Sequence, residues 1–316
     1  MNSLVMGVLA ALGAGLLWGC MFVIPLLLPN YPPAYLTFGR YFAFGLVTLP
    51  IAWWQREQLR LLKRQDWLTA AGLSLVGNFA YYFAVCGSIQ MAGAPLPTLL
   101  IGTLPIVIAV TSQWQQRHQS AIQWRALVPS LMMIAAGLLC VNAEQIERLA
   151  SRSDKGATAD YALGGAIACL AVAAWTWYPL RNSAWLKKHP GVSGATWASA
   201  QGLVTLPMAF IGWTLSTLWF NHSSGEAAPT LLGPQPLLFV GLMLFAGLGA
   251  SWLGTLLWNI ASQRTPPSLT GQLIVFETLA ALCYAYALYA RLPSALELAG
   301  ITCLVIGVIL GVRQLR

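Results

Sequence analysis

Ten apolar runs, most of them close to 20 residues long, leave this chain few ways to fold. As an α-helix, a run of that length spans the roughly 30 Å hydrocarbon core of a bilayer. Within lipid, only helices and closed barrels satisfy every backbone donor and acceptor. Barrel strands would show short alternating segments, whereas these runs are continuously apolar. The first five fall at about Ser3 to Leu28, Pro33 to Trp54, Trp67 to Ile89, Ala92 to Gln113 and Trp124 to Val141. After a polar linker, five more fall at about Tyr161 to Leu180, Val192 to Phe220, Leu237 to Ser262, Pro266 to Tyr289 and Ala295 to Val312. Of the 316 residues only 8% are charged and 58% are hydrophobic, with mean hydropathy +0.67; soluble domains have roughly a quarter of their residues charged. The sequence thus predicts an all-α integral membrane protein with about ten transmembrane helices.

The basic residues set its orientation. With the amino terminus inside, twelve of the 17 Lys and Arg fall in inner loops or at the inner ends of spans and four in outer loops, and Arg40 alone lies deep within a span. That imbalance places both termini in the cytoplasm, and it accounts for the net charge of +8 without any nucleic-acid partner. The start of the chain lacks a basic flank and its apolar run exceeds that of a signal peptide, so it reads as a retained first helix. Cys20, Cys86, Cys140, Cys169, Cys283 and Cys303 all sit within apolar runs, as small hydrophobes do.

The chain also repeats itself. Gly45-Leu46-Val47-Thr48-Leu49-Pro50 returns as Gly202-Leu203-Val204-Thr205-Leu206-Pro207, and in the same register Gly7 matches Gly164, Trp18 matches Trp175 and Pro33 matches Pro190. Later the register lengthens, Pro95 aligning with Pro267 and Gly137 with Gly307, which an insertion near Asn221 to Gln235 explains. The units are 1–141 and 161–316, joined by an outer linker, 142–160. Five spans per unit is odd, so the second copy enters the membrane upside down, as the inverted repeats of secondary transporters do.

Leu17-Trp18-Gly19 in the first span, Pro33 followed by Arg40 in the second, Leu104-Pro105 in the fourth, and the closing helices with Ala136-Gly137-Leu138 and Ile306-Gly307-Val308 resemble the drug/metabolite transporter superfamily, and within it the ten-helix EamA-type exporters. The resemblance covers nearly the whole chain and implies a two-repeat fold and export of a small molecule. Trp258-Asn259 is similar to members that export aromatic amino acids. The chain departs from the family at the ends of the fourth and ninth spans, where Gln113-Trp114-Gln115-Gln116-Arg117 and Tyr289-Ala290-Arg291 stand where many members carry Glu. Glu277, in the middle of the ninth span, stands where the family usually has an apolar residue or Pro.

Arg40 and Glu277 are the ionisable residues near mid-membrane, about 10 Å and about 15 Å from the start of their spans at 1.5 Å per residue. Such groups are costly in lipid and face a cavity or a partner. Arg40 either bridges helix ends or meets a substrate carboxylate. Glu277 is a proton carrier, an amine counter-ion, or half of an ion pair with Arg40. Trp18, Tyr81, Tyr82, Trp175, Trp177, Tyr178, Trp258 and Tyr284 lie inside their spans and either pack between helices or wall a pocket able to hold an aromatic or amine substrate. Asn78, Asn259 and Gln272 either orient a substrate or bond helices together. No acidic cluster, nucleotide-binding motif or convergent catalytic set is present, and His118, His189 and His222 are isolated in loops. The expected function is alternating-access export, across the inner membrane, of a small amphiphilic metabolite, an amino acid or related amine, coupled to protons through Glu277 and needing no cofactor. Competing readings are a multidrug exporter of hydrophobic cations, an uncoupled facilitator, and a non-transport enzyme or scaffold.

Overall fold

In the computed structural model, residues 3–92, 95–116, 124–141, 143, 147, 155–223, 232–290 and 292–314 are described. Most of the 142–160 linker and of the 221–235 insertion, together with Arg117, His118 and Arg291, lie outside these residues. Every regular element among the described residues is helical. The first half contains α1 (Ser3–Gly19), α2 (Ile24–Leu27), α3 (Pro33–Trp54), α4 (Arg56–Arg60), α5 (Arg64–Leu73), α6 (Tyr81–Ala92), α7 (Pro95–Gly102), α8 (Leu104–Gln116) and α9 (Trp124–Val141). The second half contains α10 (Lys155–Lys188), α11 (Gly194–Ser223), α12 (Pro236–Phe245), α13 (Gly254–Arg264), α14 (Pro267–Leu273), α15 (Val275–Leu288) and α16 (Ala295–Gln314). A π-helical segment, Ser74–Ala80, joins α5 to α6, and a second, Ala246–Leu253, joins α12 to α13. Among the described residues, six continuous stretches are long and apolar enough to cross a membrane, and three shorter apolar helices accompany them.

Several helices depart from the sequence expectation in an ordered way. The sixth apolar run was bounded at Leu180, yet α10 continues through Arg181 to Lys188, where Lys187 and Lys188 occupy its last turn. Cations there complement the partial negative charge of a helix carboxyl end. The fourth and ninth runs are each two helices in tandem, interrupted at Thr103 and at Ile274. Both tandems begin with the prolines that the repeat register aligns, Pro95 and Pro267, at first helical positions that need no N–H donor.

Packing follows the repeat. α3 lies along α11, α9 along α16, α8 along α14, α6 along α10 and α1 along α13. Along α3 and α11, a Cβ on Gly212 would meet Phe38, one on Gly45 would meet Leu206, and one on Gly202 would meet Thr48. Contact positions therefore rise on one helix as they fall on the other, so the two run in opposite directions. The two copies of the repeated hexapeptide touch each other. α9 and α16 close in the same way: a Cβ on Gly137 would stand 2.7 Å from the Gly300 carbonyl oxygen, and one on Gly307 would stand 3.0 Å from the Ser130 carbonyl oxygen. Ser130 Oγ donates to the Gly307 carbonyl at 2.7 Å, fixing the crossing. Gly7 abuts Thr265, and its repeat partner Gly164 abuts Ala92. Gln90 Nε2 donates to the Tyr31 carbonyl and Gln263 Nε2 to the Val192 carbonyl, each tying a helix end to the turn beside it.

Candidate functional site

The two π segments position the central polar groups. Tyr81 opens the α-helix after the first segment and Gly254 opens the one after the second; in that register Asn78 matches Ser251 and Tyr82 matches Thr255. All four line one central cavity with Trp18, Arg40, Tyr41, Tyr81, Trp175 and Glu277. The wider turn also frees a backbone acceptor. The Gly254 N–H donates to the Gly249 and Ser251 carbonyls, bypassing the Ala250 carbonyl that a regular α-helix would assign it. Trp18 Nε1 takes that carbonyl instead, at 2.8 Å. Trp175, the repeat partner of Trp18, has no such bond: its buried Nε1 finds no hydrogen-bond partner.

Arg40 is 7% exposed and, among the described residues, has no carboxylate within ion-pair range. Its Nε donates to Ser251 Oγ at 3.1 Å, and its guanidinium lies over the Tyr82 ring at 4.6 Å and the Tyr41 ring at 5.1 Å. Aromatic faces thus carry part of the compensation that a counter-ion would otherwise supply. Glu277, also 7% exposed, sits in the first turn of α15, just past the interruption at Ile274, where a helix amino end favours negative charge. Its Oε2 has no hydrogen-bond donor in the protein. Arg40 and Glu277 border the same cavity without forming an ion pair, so the passive-pair arrangement is absent from this conformation.

Trp18 and Trp175 meet edge to face with centroids 5.3 Å apart, and Trp175 stacks on Tyr81 at 4.7 Å and on Tyr178 at 5.0 Å. Trp258 supports Trp18 from behind, with centroids 5.3 Å apart, and does not line the cavity. The enclosed volume is about 30 Å³, room for one or two waters and too little for an organic substrate. Chemically, the site holds a guanidinium and a carboxylate oxygen among aromatic faces, in a shape that must widen to admit a ligand.

Four further expected residues lie away from that cavity. Asn259 is wholly buried elsewhere, accepting from Asn182 Nδ2 at 2.8 Å and donating to the Gly194 carbonyl at 3.1 Å, so its amide joins helices. Gln272 is buried in α14 away from the cavity, and its amide has no hydrogen-bond partner in the protein. Trp177 points out of the bundle, 40% exposed, because it lies two residues from Trp175 and thus on another helix face. Tyr284 lies outside the cavity, its hydroxyl on the Leu16 carbonyl. Tyr41, Ser251 and Thr255 were missed. The register that aligns Pro95 with Pro267 would pair Asn78 with Ala250 and Tyr82 with Gly254, one residue short of Ser251 and Thr255, so the π segments are what identify them.

Residues 5–142 match the EamA-like transporter family. Over 312 residues, 98% of its length, the chain is 44% identical to "Inner membrane protein YtfF" of Escherichia coli (strain K12), covering 96% of that protein. A solved structure titled "Crystal structure of protein" has the same fold, with TM-score 0.70 over 98% of both chains at 17% identity. With a matching amino-terminal half and a relative that parallels it almost end to end, the chain belongs to the EamA-like transporter family.

Proposed function

We propose that this inner-membrane transporter moves a small zwitterion or amine, of the amino-acid class, by alternating access, with Glu277 carrying the coupled proton. The observation that carries this reading is the separation of Arg40 and Glu277, which face one aromatic-walled cavity without neutralising each other. A zwitterion supplies both missing partners: its carboxylate for Arg40 and its ammonium for Glu277. Trp175 Nε1 is a further donor, and the rings suit an amine by cation-π contact. The frame we infer is ten spans, in two inverted units at 1–141 and 161–316. Supporting it are the antiparallel contacts of α3 with α11 and of α9 with α16, the paired π segments, and the paired interruptions at Thr103 and Ile274. Discontinuous helices near mid-membrane are where such carriers bind substrate.

The test is transport in proteoliposomes of amino acids, polyamines and lipophilic cations under imposed pH gradients, repeated with Glu277→Gln and Arg40→Ala. Zwitterion flux that responds to the gradient in the parent and not in Glu277→Gln supports the reading. Full pH-dependent transport in that variant would remove the proton role from Glu277, and preferential movement of lipophilic cations would transfer the site to the multidrug reading.

A further inference from the structure

A second cavity, of about 740 Å³, opens between α1, α13 and the turn that leads into α11. Its walls combine two kinds of chemistry. Met6, Leu256 and Ile260 give it an apolar side, and Lys187 and Arg264 bring two cations to it. Among the described residues, neither cation has a carboxylate within 4.0 Å. Asp66, an acid described at the same end of the bundle, is occupied by Trp185 Nε1 and by the Lys63 amide.

A general excess of cytoplasmic Lys and Arg explains basic loops, but it does not bring two unpaired cations to one concave, half-apolar site. The repeat offers an internal comparison: in the registers that align Gly7 with Gly164 and Thr265 with Ala92, Lys187 corresponds to Asn30 and Arg264 to Met91. The equivalent place in the other unit therefore has no charge. Basic pockets between membrane helices suit anionic lipid headgroups, and the apolar wall beside the cations offers a surface for the first acyl carbons.

We propose that this cavity binds an anionic phospholipid of the surrounding bilayer, its phosphate held between Lys187 and Arg264 and its chains along the wall of Met6, Leu256 and Ile260. The occupant is a lipid because the cations adjoin an apolar surface that a free anion would leave uncovered.

The test is native mass spectrometry of the purified full-length protein, with phosphatidylglycerol, phosphatidylcholine of the same chains, and inorganic phosphate as probes. Phosphatidylglycerol is expected to be retained over phosphatidylcholine. Lys187→Gln with Arg264→Gln is expected to weaken its binding about 30-fold, the summed contribution of two basic residues at a membrane surface. The control Arg60→Gln with Arg64→Gln, which removes the same charge from another inner loop, is expected to leave it unchanged. The charge-preserving swap Lys187→Arg with Arg264→Lys should retain the lipid, which keeps the test decisive if the neutral variant folds poorly. Equal loss in the control, no preference for phosphatidylglycerol, or inorganic phosphate competing through the same two residues would each overturn the assignment. Because the readout is lipid retention, its failure leaves the transport reading untouched.

Discussion

Asn182→Ala is the substitution whose cost the structure defines most closely. Asn182 is fully buried on α10 and serves three partners at once. Its Oδ1 accepts from Trp197 Nε1 at 2.8 Å and from Gln201 Nε2 at 3.3 Å, and its Nδ2 donates to Asn259 Oδ1 at 2.8 Å. Trp197, Gln201 and Asn259 are at most 1% exposed, so water cannot replace the lost amide without rearrangement. In a soluble interior, each orphaned group costs about 1–3 kcal/mol. Between membrane helices the measured average is nearer about 0.6 kcal/mol per bond, because the unfolded chain in lipid also finds partners. Three bonds then give a floor of about 2 kcal/mol, and the cavity left by the side chain raises the expected loss to about 2–4 kcal/mol. Reversible unfolding by SDS titration in mixed micelles reads this directly. Thr214→Ala, whose hydroxyl bonds only within its own helix at an exposed position, is the control and is expected to stay within about 0.5 kcal/mol. A loss below that margin for Asn182→Ala would refute the claim that this amide clamps α10, α11 and α13 together.

Arg40→Lys keeps the charge but loses the Nε bond to Ser251 and the guanidinium contact over Tyr82; substrate affinity measured by thermal shift is expected to fall about 10-fold, since Arg and Lys are not interchangeable at such a site. Gly137→Ala and Gly307→Ala each push a methyl group into the backbone of the facing helix, and each is expected to lower stability by about 1–3 kcal/mol in the SDS titration. Single cysteines placed at the two termini of a cysteine-free variant should both react from the cytoplasmic side; labelling from opposite sides would dissolve the inverted arrangement.

Helical class, membrane setting and most of the central site were legible because each follows from a local rule. Apolar run length gives the helices, and the cost of charge in lipid singles out Arg40 and Glu277. The repeat register located Trp18 and Trp175, whose rings do meet. Depth along a span was legible, but angular position was not, since neighbouring residues share a depth and face different directions. Trp177 and Trp175 illustrate this, one outside the bundle and the other in its centre. Asn259 shows a further limit: a buried amide reads the same whether it waits for a ligand or is saturated by helices, and only the Asn182 and Gly194 contacts decide. The π segments were not legible, because their residues continue the apolar runs of the helices they join.

The contrast between two equivalent positions of the repeat then follows from their side chains. Arg40 and Trp197 are equivalent in the repeat, and each sets the chemistry of its surroundings. Trp197 stacks on Trp185 and donates to Asn182, and the amides of Gln201 and Asn259 close the set, so hydrogen bonding there is largely internal. Around Arg40, by contrast, Glu277 Oε2 and Trp175 Nε1 stay buried without partners. Buried unpaired polar atoms are costly, and a ligand that satisfies them gains what the fold has forgone. Two equivalent positions can therefore divide the work, the surroundings of Trp197 locking helices together and those of Arg40 keeping polar groups in reserve. Exchanging the roles is the strictest check: Trp197→Arg should destabilise the protein, because it introduces a charge among amides already bonded to one another and removes the Nε1 bond to Asn182. If that variant instead matched the parent in the SDS titration, the internal bonding assigned to the Trp197 cluster would be wrong.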